Sequence, residues 1–284
     1  MAEALLSRST TIPEEILNPI DPVAGYCVMV IRVKDYNNKP IPGLRVTCNA
    51  GTQALNYNTN EKGAVMFTIN NGMANIFLNN FLNNNVRICD YGARWVNSVE
   101  APVGTVQNIN YQLNRLNTTK LTSGNYNYIF KDAKFINLNI SGGGGGGGGG
   151  VYLNYGSTRP MYGSGYGGAG GSGYTAVKNN ISVSNATIYS LSIGSGGRGG
   201  SGRSGHTSSD GTVASNGGTG GTTRFSNILS ANGGGGGSAG GHDWSSGFYN
   251  GSKGTGGSGA SGGAGSSSTG SNGSTGWINI KFKY

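Results

Sequence analysis

Charge is scarce in this chain. Asp, Glu, Lys and Arg make up 11% of its 284 residues, against about a quarter in ordinary domains. Histidine occurs only as His206 and His242. So few titratable groups leave little for acid–base chemistry. No spaced carboxylate pair occurs after residue 141, which argues against a glycosidase. No Gly-x-Ser-x-Gly elbow stands at a strand–helix turn, and no Lys-Ser/Thr pair follows a glycine-rich turn as in a P-loop. His242 and Asp243 are adjacent, a poor geometry for a base and its orienter. The chain reads as a non-enzyme with no cofactor and no metal. The three cysteines, Cys27, Cys48 and Cys89, fall in apolar, strand-like runs, and their odd number fits free core thiols rather than a disulfide framework. No apolar run approaches the roughly 18 residues of a membrane helix. The polar, acid-containing stretch after Met1 lacks the form of a secretion signal, so the expectation is synthesis in a reducing cytosol.

Glycine is what the chain has in excess. Of 56 glycines, 48 fall in residues 142–284, and nine run consecutively from Gly142 to Gly150. Collagen has such a glycine content but needs a strict Gly-X-Y period and abundant proline. Here Pro160 is the only proline after the tract begins, and no three-residue register holds across the half. The net charge of +9 is spread without blocks. It reads either as attraction to anionic surfaces such as phosphorylated glycans or as scattered solubilising charge. Arg198 and Arg203 are too few for an RNA-binding RGG segment, so no nucleic-acid partner is expected.

Three regions follow. Residues 1–22 read as a proline-broken arm with spaced apolar anchors (Ile12, Ile16, Leu17, Ile20), either a docking peptide that orders on a partner or a frayed terminus. Residues 23–114 carry about seven short runs of β-formers: 25–33, 44–48, 64–69, 75–82, 86–89, 93–99 and 106–113. Turn signals recur roughly every 8–12 residues, the pattern of an immunoglobulin-like β-sandwich. Residues 115–284 repeat a plan of strand, glycine tract, non-glycine loop, returning tract and strand. Three outward and return pairs, six segments in all, carry loops at 151–162, 206–215 and 242–253. The strands are expected at 125–140, 181–193, 222–230 and 277–284.

Strands flank the tracts on both sides, so the tracts are expected to be ordered and not to be linkers. A threefold helix with about 3.1 Å rise per residue has no internal hydrogen bonds. Side by side, such helices satisfy each other's backbone groups, and only glycine permits that spacing. Each bond contributes only about 1 kcal/mol net, whereas ordering a residue costs about 1–2 kcal/mol. The bundle therefore needs anchoring strands, with Phe130, Phe135, Ile136, Leu138, Ile140, Ile188, Leu191, Ile193, Trp277, Ile278, Ile280 and Phe282 as candidate anchors. The fold class expected is mainly β: an Ig-like sandwich followed by a β-anchored polyglycine II bundle.

Two resemblances accompany this reading. The run V-K-D-Y-N-N-K-P-I-P-G-L-R-V-T-C followed by T-N-E-K-G-A-V-M-F-T resembles the immunoglobulin-like repeats of bacterial surface proteins and phage fibres. Asn38 stands where that pattern has glycine, which asparagine's tolerance of positive φ allows. The glycine-rich half, with Y-I-F-K-D-A-K-F-I-N-L-N-I-S-G-G-G-G at its entrance, resembles the polyglycine-sandwich tip adhesins of T-even-like phage tail fibres. That resemblance implies a virion location, other virion proteins as partners of the arm and the Ig-like region, and possible trimer formation. It also implies distal loops that bind a bacterial surface protein or glycan. Exposed aromatic and polar residues suit such recognition, and the loops offer Tyr152, Tyr155, Arg159, Tyr162, His206, Asp210, His242, Asp243, Trp244, Phe248 and Tyr249. The alternative role for the aromatics is to cap the bundle end. The alternative functions are a structural fibre or capsid decoration protein without a receptor, and a glycine-rich surface protein of a cell.

Overall fold

The computed structural model describes residues 23–70, 72–82, 85–154, 162–205, 214–243, 247–266 and 268–284. The expected arm, 1–22, lies outside them. Every regular element among the described residues is a strand, and the chain is mainly β. It forms two compact units. The first takes the residues up to Asn117 with two later excursions, Asn127–Ala133 and Ser184–Ile188. The second takes Thr118–Tyr126, Lys134–Val183 and Tyr189–Tyr284.

The first unit is a β-sandwich. One sheet has the order β4-β1-β8, with β1 Cys27–Lys34, β4 Ala64–Ile69 and β8 Val106–Gln112; β1 runs antiparallel to β4 and parallel to β8. The other sheet is built on β2 Leu44–Ala50, β3 Gln53–Asn58, β5 Gly72–Leu82, β6 Val86–Ile88 and β7 Arg94–Ala101. Strand β3 is absent from the sequence expectation, because asparagine is depleted in strands; its Leu55 and Tyr57 alternate with Asn56 and Asn58 and pack against the core. Met29, Ile31, Val46, Phe67, Ile76 and Tyr91 are among the residues that fill the core. The two motif turns are closed by side chains. Asp35 Oδ1 accepts from the Asn37 and Lys39 amides, both at 2.9 Å, and Asn60 Oδ1 accepts from Lys62 and Ala64 at 3.0 and 2.9 Å. Asn38 adopts φ 61°, the conformation for which asparagine replaces glycine there.

A buried polar clamp holds residues 131–133 in this unit. The Asp90 carboxylate, fully buried, accepts from the amides of Lys131, Asp132 and Ala133 at 2.9, 2.8 and 2.8 Å. Arg115 Nη2 pairs with Asp132 at 2.7 Å, and Lys131 with Asp35 at 3.3 Å. Tyr91 donates its hydroxyl to Asp132; burial first, and that bond second, push its pKa up. Charge-assisted bonds of this kind exceed neutral ones in strength.

In the second unit, eight extended rods pack side by side. They comprise residues 142–150, 167–174, 194–203, 215–221, 232–240, 251–257, 259–266 and 268–276, numbered rods 1 to 8 in chain order. Rod 1 is the nine-glycine run, and all nine of its amides donate to neighbours with a period of three. Gly142, Gly145 and Gly148 bond rod 2; Gly143, Gly146 and Gly149 bond rod 4; Gly144, Gly147 and Gly150 bond rod 8, all at 2.6–3.0 Å. Its carbonyls accept from rods 3, 5 and 7, as in Gly197 to Gly144, Gly234 to Gly143 and Gly263 to Gly145. Those six rods also bond one another around a closed ring in the order 2, 7, 8, 3, 4, 5. Outward and return rods alternate around it. Rod 1 is therefore the centre of a hexagon, and rod 6 sits outside, bonded to rods 2 and 5.

This arrangement corrects two expectations. Eight rods, not six segments, occur among the described residues, because the long last tract, 254–276, supplies the end of rod 6 and all that is described of rods 7 and 8. A three-residue register does hold, but within each rod. In rod 3, Gly194, Gly197 and Gly200 are buried while Ser195, Arg198 and Ser201 are exposed. In rod 8 only every third residue is glycine (Gly270, Gly273, Gly276), and those glycines face inward; a Cβ on Gly270 would lie 2.2 Å from the Gly147 carbonyl oxygen. Glycine content thus follows enclosure. The central rod needs it everywhere, and a perimeter rod needs it on its inward row.

Side chains complete the perimeter. Asn272 Oδ1 accepts from Gly199 N at 2.8 Å, Ser271 Oγ from Ala264 N at 2.6 Å and Asn216 Oδ1 from Ala239 N at 2.7 Å. At the base two buried hydroxyls do the same: Ser141 Oγ accepts from Ala260 N at 2.7 Å and Thr223 Oγ1 from Gly194 N at 3.0 Å.

Strands continue the rods at the base. β11 Phe135–Ser141 leads into rod 1, β14 Thr175–Ser182 follows rod 2, and β21 Trp277–Lys283 follows rod 8. With β9 Thr118–Leu121 they form a sheet of order β14-β11-β21-β9. β15 Tyr189–Ser192, β17 Thr223–Phe225 and β18 Leu229–Ala231 pair in turn. Three of the long strands expected here break. The run 125–140 divides into β10 Asn125–Ile129 and β11; 181–193 divides between β14 and β15; 222–230 becomes the β17–β18 hairpin, turned at Ser226 with φ 45°. Ile136, Leu138, Ile140, Leu191, Ile278, Ile280 and Phe282 are buried as anchors, but Phe135 and Ile188 are exposed by 45% and 54%. Phe135 lies on the outward row of β11, and Ile188 belongs to the first unit, as does Phe130.

The packing sets a direct expectation. Gly146→Ala would place Cβ 1.9 Å from the Arg198 carbonyl oxygen, where only backbone can yield. It should destabilise the second unit by about 3 kcal/mol or more, whereas Ser195→Ala on the perimeter should change stability by less than about 0.5 kcal/mol, both read from denaturant melts. In the first unit, burial first and Cys27 second raise the Cys48 thiol from 9.0 to about 11, and burial pushes Cys89 up as well. The folded unit holds these protons while the unfolded chain releases them. Its stability is therefore full below pH 9 and falls as pH rises through about 11, which melts across that range will show.

Candidate functional site

The end of the rods away from the base strands carries the described flanks of the non-glycine segments. Rod 1 runs into β12 Val151–Asn154, rod 2 starts from β13 Tyr162–Gly165, and rod 3 ends at β16 Arg203–Gly205. β12 pairs antiparallel with β13 and parallel with β16. Rod 5 runs into β19 Gly241–Asp243, which forms a hairpin with β20 Gly247–Tyr249 ahead of rod 6. Gly240 N donates to Gly149 O at 3.0 Å, so the tips of rods 1 and 5 finish level. A rigid array of rods thus gathers the flanks of all three expected loops at one end, the setting in which recognition segments usually sit.

The expected site residues divide into three groups. Tyr155, Arg159, His206, Asp210 and Trp244 lie outside the described residues. Tyr162 and Asp243 are described by backbone only, in β13 and β19. Tyr152, His242, Phe248 and Tyr249 are described in full. Tyr152 and Tyr249 are exposed by 46% and 42%. His242 is buried, its ring 4.7 Å from that of Phe248, so it packs the hairpin and does not face solvent. Its role there is that of a flat side chain supporting Phe248.

Three described residues at this end were not among the expected site residues. Tyr166 is exposed by 52%, and its amide donates to Asn250 Oδ1 at 2.8 Å; it sits inside a glycine tract, at an outward position of the three-residue register. Arg203 and Lys253 are exposed at the same end. The register would have found Tyr166, as it finds every outward position. Aromatic rings beside cations and hydroxyls can take up the apolar face of a sugar or an aromatic of a protein. Among the described residues no group of three or more His, Cys, Asp or Glu could hold a metal ion.

No family model matches the chain, and no curated protein matches it. Among solved structures it is similar to a DUF3823 family protein from Parabacteroides merdae, with 9% identity over 60% of this chain and 90% of that one and a TM-score of 0.26. A superposition that weak carries no argument about function.

Proposed function

We propose that this chain is a non-enzymatic virion fibre or adhesin protein of a phage that binds a host cell-surface receptor through the distal end of its polyglycine bundle. The observation that carries the reading is the convergence of the described flanks of three non-glycine segments on one end of the bundle, with Tyr152, Tyr166 and Tyr249 exposed there. A bundle of bare backbone has little of its own to recognise a partner with. Its chemistry is concentrated where side chains return. The arm and the Ig-like unit would join the protein to the particle, and the receptor would be a bacterial surface protein or glycan.

The test is adsorption of particles carrying altered tips. Glycine–serine replacement of 151–162, 206–215 and 242–253 should abolish host binding. Tyr152→Ala and Tyr249→Ala should each weaken it by roughly five- to tenfold, the scale of an interface anchor, without altering the melting of the bundle. Particles that assemble and adsorb normally with all three segments replaced would contradict the reading and assign the protein to particle structure instead.

A further inference from the structure

The base sheet of the second unit has two faces of opposite character. Its inward rows, Ile136, Leu138 and Ile140 on β11 and Ile278, Ile280 and Phe282 on β21, are buried. Its outward rows combine Asn and Lys residues with Phe135, Val177 and Trp277. The registers align Lys120, Asn279, Asn139 and Val177 across β9, β21, β11 and β14. The next row aligns Thr118, Lys281 and Asn137. A shallow groove of about 400 Å³ runs over these rows, lined by Lys120, Asn137, Asn139, Asn279 and Lys281 among others, a size within the range of ligand sites.

The charge on this face is one-sided. Its outward rows carry Lys120, Lys281 and Lys283, and the four strands contain no Asp or Glu. The ion pairs Arg115–Asp132 and Lys131–Asp35 both belong to the first unit. Like charges on one sheet face repel, and Lys120 and Lys281 are diagonal neighbours there. An anion in the groove would relieve that repulsion. Beside the two lysines stand the carboxamides of Asn279 on β21 and of Asn139 and Asn137 on the next strand, β11, each able to donate and accept. Asn137, which lines the groove, uses its oxygen to accept from Asn180 N at 2.9 Å, and its side-chain amide nitrogen is a donor. Cross-strand spacing of about 4.8 Å repeats these donor–acceptor pairs at regular steps, as a chain of sugar hydroxyls requires. Nucleic-acid grooves instead stack bases on aromatic side chains, and the lining of this groove has none.

We infer that the outward face of the base sheet is a second binding site, separate from the distal segments, for an acidic oligosaccharide bearing carboxylate or phosphate groups. Lys120 and Lys281 meet the charge, and Asn137, Asn139 and Asn279 bond the hydroxyls. The inference stands apart from the receptor reading, because none of these residues belongs to the distal end.

Calorimetric titration of the full chain at low salt tests it. The probes are oligogalacturonate, a phosphorylated oligomannoside, a neutral malto-oligosaccharide, inorganic phosphate and single-stranded oligothymidylate. The expected result is saturable binding of one or both acidic saccharides, roughly tenfold or more tighter than the neutral sugar and inorganic phosphate. Which acidic probe binds identifies the charged group. Lys120→Gln combined with Lys281→Gln, and separately Asn139→Asp, should each reduce that affinity by roughly tenfold, while Tyr152→Ala leaves it unchanged. All these positions are at the surface, and melts of the variants confirm the fold. Absent saturable binding, undiminished binding in both variants, or equal binding of inorganic phosphate would overturn the inference. Tighter binding of the oligonucleotide would also overturn it.

Discussion

A glycine backbone carries one donor and one acceptor per residue and nothing else, and in the interior of a protein both must be bonded. Every other feature of the second unit depends on how that requirement is met. In a threefold rod successive amides point about a third of a turn apart, so three neighbours are needed to receive them and three more to supply the carbonyls. Rod 1 has those six neighbours. The ring also has to alternate in direction, because a chain that goes out must come back. The bundle is thus a solid whose interior is main chain, and its density comes from the absence of Cβ atoms rather than from interlocking side chains.

The same constraint explains what the perimeter and the base supply. A rod at the edge has outward amides with no rod to receive them, and Asn272, Ser271 and Asn216 take that place. These polar residues are part of the hydrogen-bonding scheme, not surface decoration. At the base the rods become strands, where the bonding partner changes from six neighbours to two and side chains can pack again. Buried Ser141 and Thr223 stand at that transition. The hydrophobic anchors then give what backbone bonds alone do not, since a net contribution of about 1 kcal/mol per bond falls short of the cost of ordering each residue.

Much of this was legible in the sequence. The nine consecutive glycines announced backbone packed against backbone, though not the central position, and the β-branched flanks announced anchoring strands. The V-K-D-Y-N-N-K-P-I-P-G run announced a turn, and Asn38 takes the positive φ that its replacement of glycine requires. The three-residue register was missed because its phase differs from rod to rod, so it cancels when the half is scanned as one repeat. The additional rods were missed for the same reason: 254–276 reads as a single tract, although Gly270, Gly273 and Gly276 mark an inward row of their own. Strand breaks at 130–134, 183–188 and 226–228 follow from chain crossings and a hairpin that apolar patterning does not encode. At the distal end, His242 carried the polar label of a contact residue, yet the alternation of β19 and β20 sets it against Phe248.

The most direct measurement is residue-resolved amide hydrogen exchange over the rods. The account predicts slow exchange at all nine amides of 142–150, and a two-in-three pattern in rod 8. There Gly270, Ser271, Gly273, Ser274 and Gly276 donate to backbone and should be protected, while Thr269, Asn272 and Thr275 exchange quickly. Uniformly fast exchange through 142–150, or protection in rod 8 with no period of three, would contradict a core made of main chain.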